Sequence, residues 1–364
     1  RPRQAWQFAH TVRWQRIAAK TRAEWRERGV PVPPIVIFSI THQCNLQCIG
    51  CYARSFRGPG EGEAPGGARG VTGGAAPGRA PGAPAASPAA VPGDGLSDAK
   101  LGSIVAEAHE LGVSFFVIAG GEPFLRPEIV AIAERFPRVL FLVFTNGVLI
   151  DQAMVERLAR LRNVILLISL EGTAVETDQR RGEGTYRRLA EVMGRLEKKR
   201  LFFGCSLTMT SDNYSTLLDD GYIGGLVDAG CRFFLFAEYT PIDEATAHWV
   251  LTDDQRERVA ARMPEFKKRF AALFVAVPWD EEEVGGCLSA GRGFVHINAS
   301  GDVEPCPFAP YSDTNLADAS LAEALRSPFL TGLRAMPDLS ADSGGGCALW
   351  KNREAVESLL SDVG

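Results

Sequence analysis

Residues 35–52 read I-V-I-F-S-I-T-H-Q-C-N-L-Q-C-I-G-C-Y. The apolar run Ile35–Ile40 has the length and composition of a strand buried on both faces. It leads straight into Cys44, Cys48 and Cys51, three thiols within eight residues in the spacing C-x3-C-x2-C. Closely spaced thiolates in a loop are how proteins hold iron–sulfur clusters. Three of them ligate three irons of a [4Fe–4S] cube and leave the fourth iron without a protein ligand. An iron left open can take a small molecule, which turns an electron carrier into a catalyst. Two other readings compete. A structural zinc site pairs C-x2-C units and needs four ligands; here the first gap is three, with His42 as the nearby fourth candidate. Disulfides need an oxidising compartment, and no signal peptide is readable in the charged residues 1–29. The spacing favours the cluster.

Outward from this loop the chain alternates short apolar runs with helical patterns. Strands are expected at Ile35–Ile40, Phe115–Ala119, Val139–Thr145, Val164–Leu170, Phe202–Met209 and Phe233–Glu238. Helices are expected at Asp98–Leu111, Glu128–Arg135, Ala153–Leu161, Thr185–Lys198 and Tyr214–Ala229. Ser97 reads as the N-cap of the first and Gly112 as its stop. This alternation predicts an α/β fold, a parallel sheet with helices outside. The pattern alone does not separate an open sheet from a barrel. In both, ligands bind at the C-terminal ends of the strands. The polar and glycine-rich residues gather there. The cysteine loop follows the first strand, Gly120-Gly121-Glu122-Pro123 the second and Thr145-Asn146-Gly147 the third. Ser169-Leu170-Glu171-Gly172 closes the fourth, Thr208, Thr210 and Asn213 the fifth, and Glu238-Tyr239-Thr240-Pro241 the sixth.

The cysteine triad with its flanks resembles that of the radical S-adenosylmethionine (radical SAM) enzymes. The form C-N-L-x-C-x-x-C-Y is similar to the subgroup that carries a C-terminal auxiliary-cluster domain. The resemblance covers roughly residues 35–350, apart from a low-complexity insert. It implies a partial (β/α)6 TIM-like barrel and a small C-terminal iron–sulfur (twitch-like) domain. It also implies the chemistry: a reduced [4Fe–4S] cluster cleaves SAM to methionine and a 5′-deoxyadenosyl radical, which abstracts hydrogen from a substrate. A flavodoxin- or ferredoxin-type reductant would supply the electron. At the matching positions the resemblance assigns Gly120, Gly121, Glu122 and Pro123 to the SAM amino group, as the family's GGEP motif. Asn146 and Thr208 join the SAM site from neighbouring strand ends. Ser169 and Glu171 fall where the family often has Ser-x-Asp-Gly, near the ribose. Arg181 matches an arginine that pairs with the SAM carboxylate, for which a bidentate guanidinium is well suited; Arg180 competes for that role. An ordinary salt bridge on the rim is the plainer reading of Glu171 and Arg181. The family often has an aromatic residue just before the third cysteine. This chain has Gly50 there, and Tyr52 follows as the candidate ring beside the adenine. Glu238 and Tyr239 are the catalytic, substrate-pocket candidates, expected at the barrel mouth between two clusters.

The second cluster is read from Cys287, Cys306 and Cys347. Gly301-Asp302-Val303-Glu304-Pro305-Cys306 is a tight turn leading into a cysteine, and it resembles the opening of a SPASM domain. A full SPASM domain continues with another clustered cysteine group. Here Cys347 follows alone, after Gly344-Gly345-Gly346, as in the truncated twitch version with one auxiliary [4Fe–4S] cluster. Its fourth iron is either open to substrate or closed by a side chain, with His296 and Asp302 as candidates. A zinc site or unrelated buried thiols is the plain alternative. Cys205 and Cys231 read as small buried hydrophobes, Cys231 being the one that could face the cavity.

Composition bounds the rest. The chain has 364 residues, 46% of them hydrophobic, and a net charge of −5. That is enough for a large core and a smaller second domain, and it gives no reason to expect nucleic acid as a partner. No apolar run approaches the roughly 18 residues of a membrane span, and eight cysteines without an export signal suggest the cytoplasm. Residues 1–29 carry eight basic and two acidic side chains. Trp14, Ile17, Ala18, Thr21 and Trp25 form one helical stripe there, with Trp6 near it. Such a helix either makes peripheral membrane contact or caps its own barrel, and capping is the expectation. Residues 55–95 are an insert of Gly, Ala and Pro that cannot offset its ordering entropy and reads as a disordered loop. The expected organisation is a basic helical extension at 1–34, the barrel at 35–245, a linker helix at 246–280 (Thr252–Phe274 helical) and the auxiliary-cluster domain at 281–364.

The functional expectation is a radical SAM enzyme acting on a small-molecule or lipid substrate. The 34 residues before the first strand are too few for the extra peptide-binding domain of many peptide-modifying relatives. A peptide-modifying maturase is the alternative. A reading from another class is a non-catalytic iron–sulfur protein for electron transfer or sensing. The residues gathered on one rim argue against that one, since an electron carrier needs no SAM pocket.

Overall fold

Six of the apolar runs become strands within one residue of their expected bounds. The computed structural model describes residues 2–55, 95–241, 244–282, 284–336 and 347–363, with side chains from Arg13 onward in the first helix. The insert, Gly344-Gly345-Gly346 and the side chain of Trp6 lie outside the described residues. The strands are β1 (Ile35–Ser39), β2 (Phe115–Ala119), β3 (Leu140–Thr145), β4 (Val164–Leu170), β5 (Phe203–Met209) and β6 (Phe233–Glu238), each parallel to the next. Between and around them run α1 (Pro2–Glu27), α2 (Tyr52–Ser55), α3 (Asp98–Leu111), α4 (Glu128–Arg135), α5 (Gln152–Leu158), α6 (Ala174–Arg181) and α7 (Thr185–Lys198). Then come α8 (Tyr214–Leu217) and α9 (Asp220–Asp228). Ser97 caps α3, accepting from the Lys100 amide at 3.2 Å, and Gly112 ends it at φ +96°, a conformation glycine adopts without steric cost. The single helix expected at Tyr214–Ala229 is broken because the Asp219 carboxylate accepts from the Tyr222 amide at 2.8 Å and starts a new helix.

The sheet is wider than six strands. Strand β7 (Leu273–Val277) extends it beyond β6, and β8 (Phe294–Ile297) pairs in parallel with β1, carrying the short antiparallel β9 (Val303–Glu304). The order is β7-β6-β5-β4-β3-β2-β1-β8-β9, an open curve rather than a closed ring. The continuous apolar runs predict burial on both faces. In the structure Phe38, Phe116, Phe141 and Phe236 are sealed under the helices, while Ile37, Val117, Leu142 and Leu235 on the other face are half-buried. An unclosed barrel leaves its inner face accessible, and that face is where a reaction can take place.

The region expected as a pure linker helix is α10 (Asp253–Arg269), opened by a reciprocal Thr252–Gln255 capping box, and then β7. Strand β7 forms because L-F-V-A-V is an apolar run with a buried stacking partner: Phe274 stacks on Phe234 at 5.0 Å and lies 5.6 Å from Phe266. Each such pair contributes about 1 kcal/mol beyond area burial. The C-terminal segment likewise joins the barrel sheet through β8, so the cysteines after it are fixed relative to β1. It is completed by α11 (Trp279–Glu282), α12 (Leu321–Ala324), α13 (Pro328–Ala335), α14 (Ala348–Lys351) and α15 (Arg353–Val363).

Helix α1 caps the barrel. The Arg22 guanidinium donates to the Gly112 carbonyl at 2.6 Å, and the Ser114 hydroxyl donates to Gln15 at 2.6 Å. The Trp14 ring carries the Arg138 guanidinium at 3.8 Å, and Trp25 packs on the core. These contacts lie at the N-terminal ends of β2 and β3, opposite the cysteine loop. Trp14 and Trp25, expected either at a membrane surface or against the barrel, are against the barrel. No helix among the described residues is long and apolar enough to cross a membrane.

Candidate functional site: a cysteine loop at the strand ends

The cysteine loop is built on the glycine pair after β2. The Gly121 amide donates to the Thr41 carbonyl at 2.8 Å and the Glu122 amide to the Gln43 carbonyl at 2.7 Å. A Cβ on Gly120 would stand 2.5 Å from the Thr41 oxygen, and one on Gly121 would stand 1.8 Å from the Gln43 oxygen. Two backbones meet there with no space for a methyl group, so Gly121→Ala must push the chain just before Cys44. Roughly half of the bound iron should be lost from that variant after anaerobic reconstitution; full iron in an otherwise folded protein would count against this packing argument.

Glu122 fastens the same turn. One carboxylate oxygen accepts from the Phe124 amide at 3.0 Å and the Thr145 hydroxyl at 2.7 Å; the other accepts from the Asn146 amide at 2.7 Å. Burial pushes its carboxyl up to about 6 against these three donors. Glu122 is thus spent on joining the ends of β2 and β3, where the sequence suggests a SAM ammonium contact. Pro123 opens the turn of 3-10 helix that follows. Asn146 reaches the cysteines, with its amide nitrogen 3.7 Å from the Cys44 sulfur and 2.8 Å from the Asn45 side-chain oxygen. Ser169 and Thr208 lie half-buried on the inner face.

Glu171, buried to 1% exposure, binds two arginines. Arg180 donates to Oε2 at 2.5 Å, and Arg181 donates to Oε1 from Nε at 2.9 Å and from Nη2 at 2.5 Å. The pair read as either SAM ligands or a rim salt bridge therefore forms the salt bridge, inside the protein. Arg181 also faces Cys48: burial pushes that thiol up, and the Arg181 charge draws it back. Arg180 reaches the cysteine loop, with Nε donating to the Ile49 carbonyl at 3.1 Å while the Ile49 amide donates to the Arg180 carbonyl at 3.0 Å.

The structure fixes the surroundings of four candidates. Tyr239 stands beside the first cysteine loop. Its hydroxyl donates to Thr246 at 2.7 Å, and its ring meets Trp249 edge-on beside Gly50. A Cβ on Gly50 would lie 2.7 Å from the Tyr239 hydroxyl and 2.8 Å from the Trp249 ring, so the place of an aromatic side chain at 50 is filled from elsewhere in the chain. Glu238 turns away from the mouth. It shares the face of Phe234 and Phe236 and accepts from Arg256 of α10 at 2.7 Å and 2.6 Å. Tyr52 meets the C-terminal segment: its ring lies 5.1 Å from Phe308, and burial with the nearby Cys51 and Cys306 raises its hydroxyl above the ordinary value. Cys231 does not face the cavity; its sulfur is 3.0 Å from that of Cys205 and 4.0 Å from Met193, under the helices.

Cys287 and Cys347 lie within electrostatic reach of Cys306. Burial raises the Cys306 thiol well above its ordinary value, and the charges of Cys347 and Cys287 add to the shift. The turn at Gly301 (φ +97°) that leads into Cys306 is closed by the Asn298 side chain, which holds Asp302 at 2.9 Å and Glu304 at 2.7 Å. His296 is engaged at both ring nitrogens, by Glu304 at 2.6 Å and Ser39 at 2.8 Å. Asp302 accepts from Asn315 at 2.7 Å and from Asn298 at 2.9 Å. Both fourth-ligand candidates thus have their polar side-chain atoms engaged. A cavity of about 210 Å3 is lined among others by Ser39, Tyr52, Gly120, Gly121, His296 and Pro307; Tyr52 and Pro307 are the chain neighbours of Cys51 and Cys306.

Both triads suit iron–sulfur cubes. Burial pushes the Cys44 thiol up to about 11, so these thiols become thiolates when a metal compensates the charge. Among the described residues no three or more Cys, His, Asp or Glu side chains converge as ligands of a single ion. A zinc site requires such convergence; a cube, which meets each thiolate at a different iron, does not.

Comparison with known proteins agrees with this geometry. The radical SAM superfamily matches residues 38–219. Pre-heme d1 synthase of Dinoroseobacter shibae is 24% identical over 336 residues, which cover 83% of this chain and 73% of that protein. Mycofactocin maturase MftC of Mycobacterium tuberculosis is 26% identical over 298 residues, 78% of this chain and 66% of that one. Among solved structures, Streptococcus suis SuiB bound to precursor peptide SuiA aligns with a TM-score of 0.61 at 17% identity, over 88% of this chain and 71% of that one. At that identity the likeness is one of fold.

Proposed function

We propose, from the premise that the chain belongs to the radical SAM superfamily, that it is a peptide-modifying enzyme with one auxiliary cluster. When bound, the family's [4Fe–4S] cluster and SAM together supply a 5′-deoxyadenosyl radical that abstracts a hydrogen atom from the substrate. The chain's own residues hold and shield that chemistry. Cys44, Cys48 and Cys51 would ligate the first cluster, with Asn146 and Arg181 beside their sulfurs. Gly120 and Gly121 would leave their backbone open to the SAM amino group, and Ser169 and Thr208 would offer hydroxyls from the inner face. Cys287, Cys306 and Cys347 would ligate the auxiliary cluster.

One observation carries the reading: the family match covers the first cysteine loop and the strand-end residues around it. A cavity lined by Tyr52 and Pro307, the chain neighbours of Cys51 and Cys306, offers room for a substrate near both cysteine sets. The choice of a peptide is supported by the maturase relative and by the likeness to a structure with a bound precursor peptide. The small-molecule or lipid substrate expected from the shortness of the segment before β1 has less behind it. A tetrapyrrole is the second reading, favoured by the pre-heme d1 synthase match across 83% of the chain.

Anaerobically reconstituted protein given SAM and a strong reductant should form 5′-deoxyadenosine. Its absence, with clusters intact, would overturn the enzymatic reading. A deuterated precursor peptide should then pass deuterium into that product. Transfer from a deuterated tetrapyrrole instead would select the second reading.

A further inference from the structure

Side chains from three neighbouring strands form a hydrogen-bonded chain that ends in the cavity. In the parallel pairing of β1 with β8, His296 lies opposite Ile37, so Ser39, two residues further on, shares its face. In the antiparallel pairing of β8 with β9, His296 lies opposite Glu304. The side chains meet accordingly. Ser39 Oγ is 2.8 Å from His296 Nε2, and His296 Nδ1 is 2.6 Å from Glu304 Oε2. Asn298 donates to the other oxygen of Glu304 at 2.7 Å. Ser39, His296 and Glu304 are 8%, 4% and 5% exposed, and all three line the cavity, as Asn298 does.

The order of these bonds fixes the chemistry. A carboxylate only accepts, so Glu304 takes the hydrogen of Nδ1, and the neutral imidazole keeps Nε2 as an acceptor. Nε2 then accepts from the Ser39 hydroxyl. A hydroxyl within hydrogen-bond reach of a base, itself oriented by a third group, is the arrangement of an activated nucleophile. Here the three groups sit on adjacent strands of one sheet, which hold them more precisely than loops would. Glu304 is a positioning residue, held in turn by Asn298.

We propose that Ser39, His296 and Glu304 form a second reactive centre, an acyl-transfer site for an ester bound in the cavity. The Ser39 oxygen forms a bond to the carbonyl carbon while its proton passes to His296 Nε2. The imidazolium, facing Glu304, returns that proton to the leaving alkoxide as the bond between that oxygen and carbon breaks. Water repeats the sequence and frees the serine. No electron changes hands, so this centre needs neither a cluster nor SAM, and it stands or falls apart from the radical reading.

The test treats the anaerobically reconstituted full chain with phenylmethylsulfonyl fluoride, which sulfonylates activated serines and releases fluoride. The sulfonyl group should map to Ser39 by peptide mass spectrometry and be absent from Ser39→Ala. The chain's other serines should stay unmodified, an internal standard that decides the question even if substitutions at 296 and 304 do not fold. His296→Gln should slow the reaction roughly 100-fold. Glu304→Gln should slow it comparably. A glutamine amide donates to Nδ1, and the imidazole then carries its hydrogen on Nε2 and no longer accepts from the serine. p-Nitrophenyl acetate should acetylate the same serine in acid-quenched samples. A network that only braces the strands gives no modification at Ser39. Failure of either reagent to modify Ser39 in folded protein, or an undiminished rate in His296→Gln, overturns the proposal.

Discussion

Replacing Cys44, Cys48 and Cys51 together by alanine is expected to abolish SAM cleavage while leaving about four of about eight irons per chain. The loop around them does not depend on the thiols for its shape. Its backbone is pinned at Gln43 and Thr41 by the glycine turn and at Ile49 by Arg180. The second triad comes from a separate stretch of chain: Cys287 lies before β8, Cys306 just after β9 and Cys347 at the start of α14. Iron analysis with 5′-deoxyadenosine quantification checks both halves. Retained cleavage sinks the assignment of the SAM cluster. Loss of all iron would mean that the two centres assemble cooperatively, with Tyr52 and Phe308 as the contact between them.

Much of this molecule can be read from its sequence because its strands are short, apolar and separated by amphipathic helices. The failures share a cause. Helix α6, A-V-E-T-D-Q-R-R, has no apolar periodicity; Thr177 is its buried residue, so no hydrophobic pattern announces it. Strands β8 and β9 are four and two residues long, and they exist because β1 offers an edge. The misplacement of Glu238 was avoidable. It stands two and four residues after Phe236 and Phe234, so strand parity puts it on the helix-covered face with them.

The site divides in the same way. Spacing within eight residues reveals a metal loop. It does not reveal that Tyr239 and Trp249, about two hundred residues later, occupy the side-chain space at Gly50. Nor does it reveal that Glu304 and Ser39 engage both nitrogens of His296. Such relations arise when distant segments meet, and one sequence carries no trace of them. They also show why motif residues can have two duties. Glu122 and the glycine pair match a SAM motif, yet the structure already uses them to attach β2 to the cysteine loop.

Glu171 is the sharpest case of such a double duty, and its replacement should have the largest effect on stability. The carboxylate is 1% exposed and lies between Arg180 and Arg181, whose side chains are 12% and 11% exposed. Removing it strands two guanidinium groups away from water. Breaking a buried pair by deleting one partner costs about 3–5 kcal/mol, and here two pairs share one carboxylate. Damage should spread to the cysteine loop, because Arg180 also holds Ile49 and lies 5.8 Å from the Tyr239 and Trp249 ring centres. Glu171→Ala should therefore lower the unfolding midpoint strongly and reduce iron at the first site. Glu171→Gln keeps an acceptor and most of the packing, so it should fold with a smaller loss. The glutamine variant also separates structure from ligand binding. If Glu171 contacts the ribose as well, SAM affinity should fall further than the loss of stability and iron accounts for. If it serves the arginines alone, the reconstituted variant should bind SAM as the parent does. An alanine variant within about 1 kcal/mol of the parent would refute the buried-pair argument, and with it the claim that this salt bridge organises the rim.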